Sequence, residues 1–116
     1  MRIDNPLITV ITVSYNSVSV IEDTIESVLK QTYPWIEYII IDGGSRDGTI
    51  DIIRQYEKSI SFWISEKDSG VYHAMNKGID RATGEWLIFM NSGDRFYSET
   101  ILSQVFEHEY KSDIIY

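Results

Sequence analysis

The sequence predicts an α/β protein with a Rossmann-like, mostly parallel sheet flanked by helices. Three observations carry this expectation. Short runs rich in β-branched and aromatic residues recur along the chain. Stretches with apolar residues at three- and four-residue intervals alternate with them, the order of a doubly wound fold. Several of the runs are apolar on both faces, which suits interior strands covered by helices on each side.

The elements follow in order. Leu7–Ser14 (LITVITVS) reads as the first strand. Val20, Ile21, Thr24, Ile25, Val28 and Leu29 then repeat with helical spacing, and Pro34 follows soon after that helix ends. Tyr38–Ile41 gives a second strand, and Ile50, Ile53 and the Tyr56 region a shorter helix. Ile60–Ile64 is the third strand. Val71, Met75 and Ile79 mark a helix expected to end near Thr83-Gly84. Trp86–Met90 is the fourth strand, and Ile101, Leu102, Val105 and Phe106 form a fourth helical stripe. Ile114–Tyr116 opens a fifth apolar run within which the sequence stops. A bare apolar edge strand is a liability, so residues 1–116 are expected to be one domain, incomplete at its C-terminus.

Composition narrows the function. A formal net charge of −8 over 116 residues argues against non-specific nucleic-acid binding, which needs a basic footprint. An anionic small molecule stays possible, because a local site or a metal ion can oppose the global charge. With no cysteine, disulfides and thiolate metal sites are excluded. No signal peptide and no run of about 20 apolar residues is evident, so the expected location is the cytoplasm.

In an open α/β sheet, ligands bind in the crevice outside the carboxyl ends of the strands. Those ends read Ser14-Tyr15-Asn16, Asp42-Gly43-Gly44-Ser45, Glu66-Lys67-Asp68 and Asn91-Ser92-Gly93-Asp94. One such end would be a turn; four make a site plausible.

Each segment also has a plainer explanation. Gly43 and Gly44 allow close ligand approach, but a strand–turn–helix connection needs no ligand, and Asp47 or Thr49 could simply cap the next helix. Asp42 closes a buried strand and needs a donor, which a nucleobase imino N–H could supply. Asp68 or Ser69 could be an N-cap. Within Asn76-Lys77-Gly78, a mid-helix glycine costs up to about 1 kcal/mol relative to alanine, so either something approaches closely there or the helix bends. Lys77 could neutralise a phosphate or be a solvated surface lysine. His73 reads as a polar helix residue rather than a catalyst. Asn91–Asp94 is good turn chemistry. Mg²⁺ and Mn²⁺ prefer oxygen ligands, however, and Mg²⁺ is often held by one or two carboxylates plus substrate phosphates. Neither a Walker A loop nor G-x-G-x-x-G is present.

Taken together, TVITVSYN (9–16), IIIDGGSRDGT (39–49), SEKDSGVYHAMNKGIDRATGEW (65–86) and LIFMNSGD (87–94) resemble the family 2 glycosyltransferases of GT-A fold. The third block suggests the branch that builds bacterial surface polysaccharides. The resemblance implies a hexosyltransferase-like enzyme that moves a sugar from a UDP-type donor to an acceptor hydroxyl, with metal assistance and inversion. It implies a nucleoside pocket lined by Ser14, Tyr15 and Asn16, with Asp42 bonding the base, most simply the N3–H of uracil. Gly43, Asp68, Asn76, Lys77, Ser92 and Gly93 complete the expected donor site. Asp94 is the implied ligand of Mn²⁺ or Mg²⁺.

This sequence departs from the family pattern twice. The family often has Asp-Asp-Gly-Ser where this chain has Asp42-Gly43-Gly44-Ser45, and often two or three acids where this chain keeps only Asp94. Family members run well beyond this length, so the general base is expected beyond residue 116 and the chain is expected to bind donor without being active alone. Implied partners are a nucleotide-diphosphate sugar and a glycan or lipid-linked acceptor, with possible peripheral association at the inner face of a membrane.

Rival readings are a catalytically silent nucleotide-sugar-binding module, a nucleotidyltransferase on a related fold, and a purely structural domain. The nucleotidyltransferase is disfavoured because SYNSVSV lacks the glycine-rich, basic loop such enzymes use.

Overall fold

The structure, a computed structural model, describes residues 5–108, the side chains of 107 and 108 excepted. Four strands, β1 (Ile8–Ser14), β2 (Ile36–Asp42), β3 (Phe62–Ser65) and β4 (Trp86–Phe89), form one sheet in the order β3-β2-β1-β4. Every pairing is parallel. Four α-helices connect or follow them: α1 (Ile21–Leu29), α2 (Thr49–Gln55), α3 (Val71–Arg81) and α4 (Ile101–His108). The expected fifth strand, Ile114–Tyr116, lies outside the described residues.

Strand periodicity divides the core. Ile8, Val10, Tyr38 and Ile40 turn to one face, where Ile21, Ile25 and Val28 of α1, Ile53 of α2, and Leu102 and Phe106 of α4 bury them. Ile11, Ile39 and Ile41 turn to the other face and pack with Ala74 of α3. Residues one apart face opposite sides of a sheet, so β1 and β2, with apolar residues on both faces, fill both layers. This bears out the expectation drawn from their two-sided apolar pattern.

Gly78 has a structural cause. A Cβ there would lie 2.6 Å from Ile11 Cγ2, so the missing side chain lets α3 approach β1. Close packing on the sheet, rather than a ligand, answers the question raised by a glycine in mid-helix.

The helix caps differ from expectation. Gly48 and Gly70 occupy the N-cap positions of α2 and α3, without a side-chain cap bond. Asp47 instead accepts from the N–H and hydroxyl of Thr49, and Asp68 Oδ1 accepts from the Gly70 N–H. Both are turn-stabilising contacts made from before the cap, Asp47 one residue and Asp68 two residues ahead of it. Asp and Asn side chains commonly bond the backbone two residues on.

Candidate donor-binding site

The strand order fixes where a site can form. From β1 the chain adds β2 and then β3 on one side, and then crosses to place β4 on the other side of β1. The crevice lies where such an order reverses, here between the ends of β1 and β4.

Hydroxyl and carboxylate side chains lace the loops at that edge. Asn16, at φ 46 in the left-handed region, accepts from the Arg46 N–H through its Oδ1, while its own N–H donates to Ser45 Oγ. The Ser17 N–H donates to Thr49 Oγ1, and the Ser17 and Ser92 hydroxyls are bonded at 2.7 Å. The Val18 N–H donates to Asp47 Oδ2. The loops after β1, β2 and β4 are thus one hydrogen-bonded unit.

Asp42 is the centre of that unit. Its side chain is fully buried and receives five hydrogen bonds, from the hydroxyls of Ser14, Ser45 and Ser65 and the N–H groups of Gly44 and Ser45. An ionised carboxylate offers about four lone-pair sites, so protein donors fill it. Burial alone would raise its pKa, but the bonds from Ser45, Ser14 and Ser65 outweigh burial and hold the group below the usual aspartate range. The donor that Asp42 needs comes from the protein. As the structure stands, the expected contact with a base is replaced by this cage.

A cavity of about 510 Å³ opens at the same edge, within the size range of small-molecule sites. Of the expected residues, Ser14, Tyr15, Gly43, Asp68 and Ser92 line it. Sequence reasoning did not single out Ser17, Lys67 or Val71 as site residues, yet they line it too. Lys67 is the only cationic side chain in that lining, and its place directly after β3 was the signal that could have marked it. Tyr15, 63% exposed, presents an aromatic surface at the mouth.

Other expected residues lie elsewhere. Lys77 is not part of the lining; its Nζ lies 2.8 Å from Glu66 Oε2, and that ion pair answers its charge. Asn76 is exposed on α3, outside the cavity. His73 accepts the Ser69 N–H through Nδ1, which fits the polar helix role expected of it.

The segment after β4 is both turn and rim. The Asp94 N–H donates to the Asn91 carbonyl at 2.8 Å, with Gly93 at φ 99 between them. Thr24 Oγ1 donates to the Asp94 carbonyl and accepts the Gly93 N–H, seating the turn on α1. These contacts leave the Asp94 carboxylate exposed. The Asn91 Oδ1 atom is buried and has no partner among the described residues, and Asn91 lines the cavity.

Among the described residues no group of three His, Cys, Asp or Glu side chains could hold a metal. The oxygens of Asp94 and Asn91 are the ligand type that Mg²⁺ and Mn²⁺ take. Asn91 and Ser92 line the cavity, whereas Gly93 and Asp94 lie outside its lining.

A parallel four-stranded sheet with its cavity at the strand-order reversal is the general plan of open α/β binding proteins, and its glycosyltransferase structural neighbours make this one a GT-A fold. Residues 9–116 match the model of glycosyl transferase family 2, and the chain belongs to that family. TuaG of Bacillus subtilis, provisionally named a teichuronic acid biosynthesis glycosyltransferase, is 44% identical over 103 residues; these cover 86% of this chain and 41% of TuaG. The mannosyltransferase PcManGT from Pyrobaculum calidifontis, solved with GDP-Man and Mn²⁺, superposes at TM-score 0.76 with 26% identity. That match covers 83% of this chain and 30% of PcManGT. S. aureus TarS 1-349 in complex with UDP-GlcNAc gives TM-score 0.70 and 26% identity, over 75% of this chain and 26% of TarS 1-349. The chain therefore spans less than half the length of the relatives it resembles. No helix among the described residues is long and apolar enough to cross a membrane.

Proposed function

We propose that this chain is the donor-binding part of a glycosyltransferase that moves a sugar from a UDP-type nucleotide to an acceptor hydroxyl in polysaccharide or glycolipid synthesis. The observation that carries the reading is the cavity at the β1–β4 crevice, lined by the end of β1 and by the segments that follow β1, β2, β3 and β4. The nucleotide sugars in the PcManGT and TarS structures support the donor class. The name of TuaG supports a bacterial surface glycan as the acceptor class.

In the transfer, the acceptor oxygen attacks the anomeric carbon from the face opposite the diphosphate, and the sugar–diphosphate bond breaks with inversion. The acceptor proton goes to a general base that we assign to the protein beyond these residues, so this chain alone binds donor without transferring it. Lys67 brings positive charge to the cavity, and Tyr15 offers a ring face to the nucleoside. The cage around Asp42 fixes the Ser14 and Ser45 ends of β1 and β2, so the pocket does not have to reorganise when donor arrives. Bound Mn²⁺ or Mg²⁺, held by Asp94 with Asn91 Oδ1 beside it, would stabilise charge on the departing diphosphate.

Calorimetric titration with UDP, with and without Mn²⁺, tests the binding half of this reading. Saturable binding that tightens with the metal is expected, and a folded sample that binds neither overturns it. Sugar transfer by the 116-residue chain at the rate of the intact protein would overturn the assignment of the base elsewhere.

A further inference from the structure

Asp42 cannot read a base while five protein donors fill it, yet another carboxylate stands at the same place. Asp68, in the loop between β3 and α3, lines the cavity beside Gly43. Its Oδ1 is held by the Gly70 N–H at 3.0 Å. Its Oδ2 would lie 2.9 Å from a Cβ at position 43, so the carboxylate occupies the space that a side chain on Gly43 would enter. No hydrogen bond or ion pair to Oδ2 exists among the described residues. One oxygen is fixed by the backbone, while the other is an unfilled acceptor facing a cavity.

The strand order says what would meet it. Along the edge the order is β3, β2, β1, β4. If the diphosphate sits at the Asn91–Asp94 corner of β4, the nucleoside extends over β1 toward β2, two strand spacings or roughly 10 Å away. Its far end, the base, then arrives at Gly43 and Asp68. An ionised carboxylate only accepts, so it selects a base that presents an N–H.

Resting on the sugar-nucleotide reading above, we propose that Asp68 is the base-reading acid of this site, accepting the imino N–H of a uracil-type base, and that Gly43 is small because Asp68 needs its space. The acid has moved from the end of β2 to the loop after β3.

A cycle between residue and ligand tests this in the intact protein, using UDP, N3-methyl-UDP and 2′-deoxy-UDP as probes in calorimetric titrations. Wild type is expected to bind UDP at least about tenfold more tightly than N3-methyl-UDP, the scale of one charge-assisted hydrogen bond. Asp68→Asn keeps an oxygen for the Gly70 N–H and so preserves the turn, and Asp68→Ala makes room for the methyl group. Both are expected to weaken UDP about tenfold and to bring the two ligands within about threefold of each other. Gly43→Ala, whose methyl meets only the end of a flexible side chain, is expected to displace Asp68 and weaken UDP in the same sense.

Full discrimination against N3-methyl-UDP in both Asp68 variants overturns the assignment. So does loss of discrimination against 2′-deoxy-UDP instead, which would make Asp68 a ribose contact. Either result leaves the sugar-nucleotide reading standing, whereas a folded wild type that binds none of the three overturns both.

Discussion

Asp42 and Asp94 stand at the ends of strands that flank β1, and their circumstances are opposite. Asp42 is sealed, with five donors around one carboxylate. Asp94 is exposed; its backbone is tied to Asn91 and Thr24, while its carboxylate is left to solvent. A buried, hydrogen-bonded carboxylate contributes to the frame, because removing it strands every donor that pointed at it. An exposed carboxylate on a rigid turn contributes little to stability and keeps its lone pairs for a ligand. Two acids of the same type beyond neighbouring strands thus differ in kind, one bound into the frame of the loops and the other left open to solvent.

The sharpest way to break this contrast is Asp42→Ala. Three hydroxyls and two N–H groups lose their acceptor, and a loss of roughly 3–5 kcal/mol in urea-unfolding free energy is expected. A loss under about 1 kcal/mol would show that the cage is not structural. Next comes Asp94→Asn. Its unfolding free energy is expected to stay within about 0.5 kcal/mol of wild type, while metal-dependent transfer by the intact protein falls on the order of a hundredfold. Unchanged transfer would remove Asp94 from the site.

Acid sharpens the contrast further. Since the folded pKa of Asp42 is depressed, its stabilisation is complete above the unfolded value of about 3.9 and is lost as pH falls through the lower folded value. Unfolding free energy should therefore drop as pH is lowered below about 4. Glu37 adds to this slope: burial would raise its pKa, but bonds from Thr9 and Thr83 hold it below the usual range. Asp42→Asn should flatten the slope without abolishing it, and an unaltered slope would contradict the cage. The smallest expected effect belongs to Ser92→Ala. Losing the 2.7 Å bond to Ser17 should reduce stability by about 1 kcal/mol and loosen UDP binding only slightly.

The fold was legible because its signals are local or periodic. The two-sided apolar runs at residues 7–14 and 38–41 could fit little besides interior strands, and the structure extends the second of them to Ile36–Asp42. The edge of the sheet was legible for a related reason, since polar strand ends can be read one strand at a time.

What could not be read was the pairing of side chains across loops. Nothing near Asp42 in sequence discloses that Ser14 and Ser65 will close on it. Nor does the mid-helix position of Lys77 reveal that Glu66 will meet it. Lys67 reads in sequence as part of the third strand's polar end but is not thereby assigned to the site, because a lysine after a short strand is ordinarily a solvated one. Each of these outcomes depends on which strands become neighbours, and the strand order β3-β2-β1-β4 is a property of the whole sheet.

The place of β1 between β2 and β4 also bears on how the molecule folds. Residues paired between β1 and β2 are 28 apart in sequence, whereas the Thr12 hydroxyl reaches 78 residues ahead to the Met90 carbonyl beyond β4. Closing the longer loop costs roughly 0.9 kcal/mol more in chain entropy. The β1–β4 ladder has four paired residues, against seven for β1–β2. We therefore expect β2 to zip onto β1 first and β4 to dock last. Amides of β4 should exchange with solvent sooner than those of β2, and equal protection would contradict this order. The cleft exists only once β4 has docked, so its lifetime is set by an edge ladder little more than half as long as the central one.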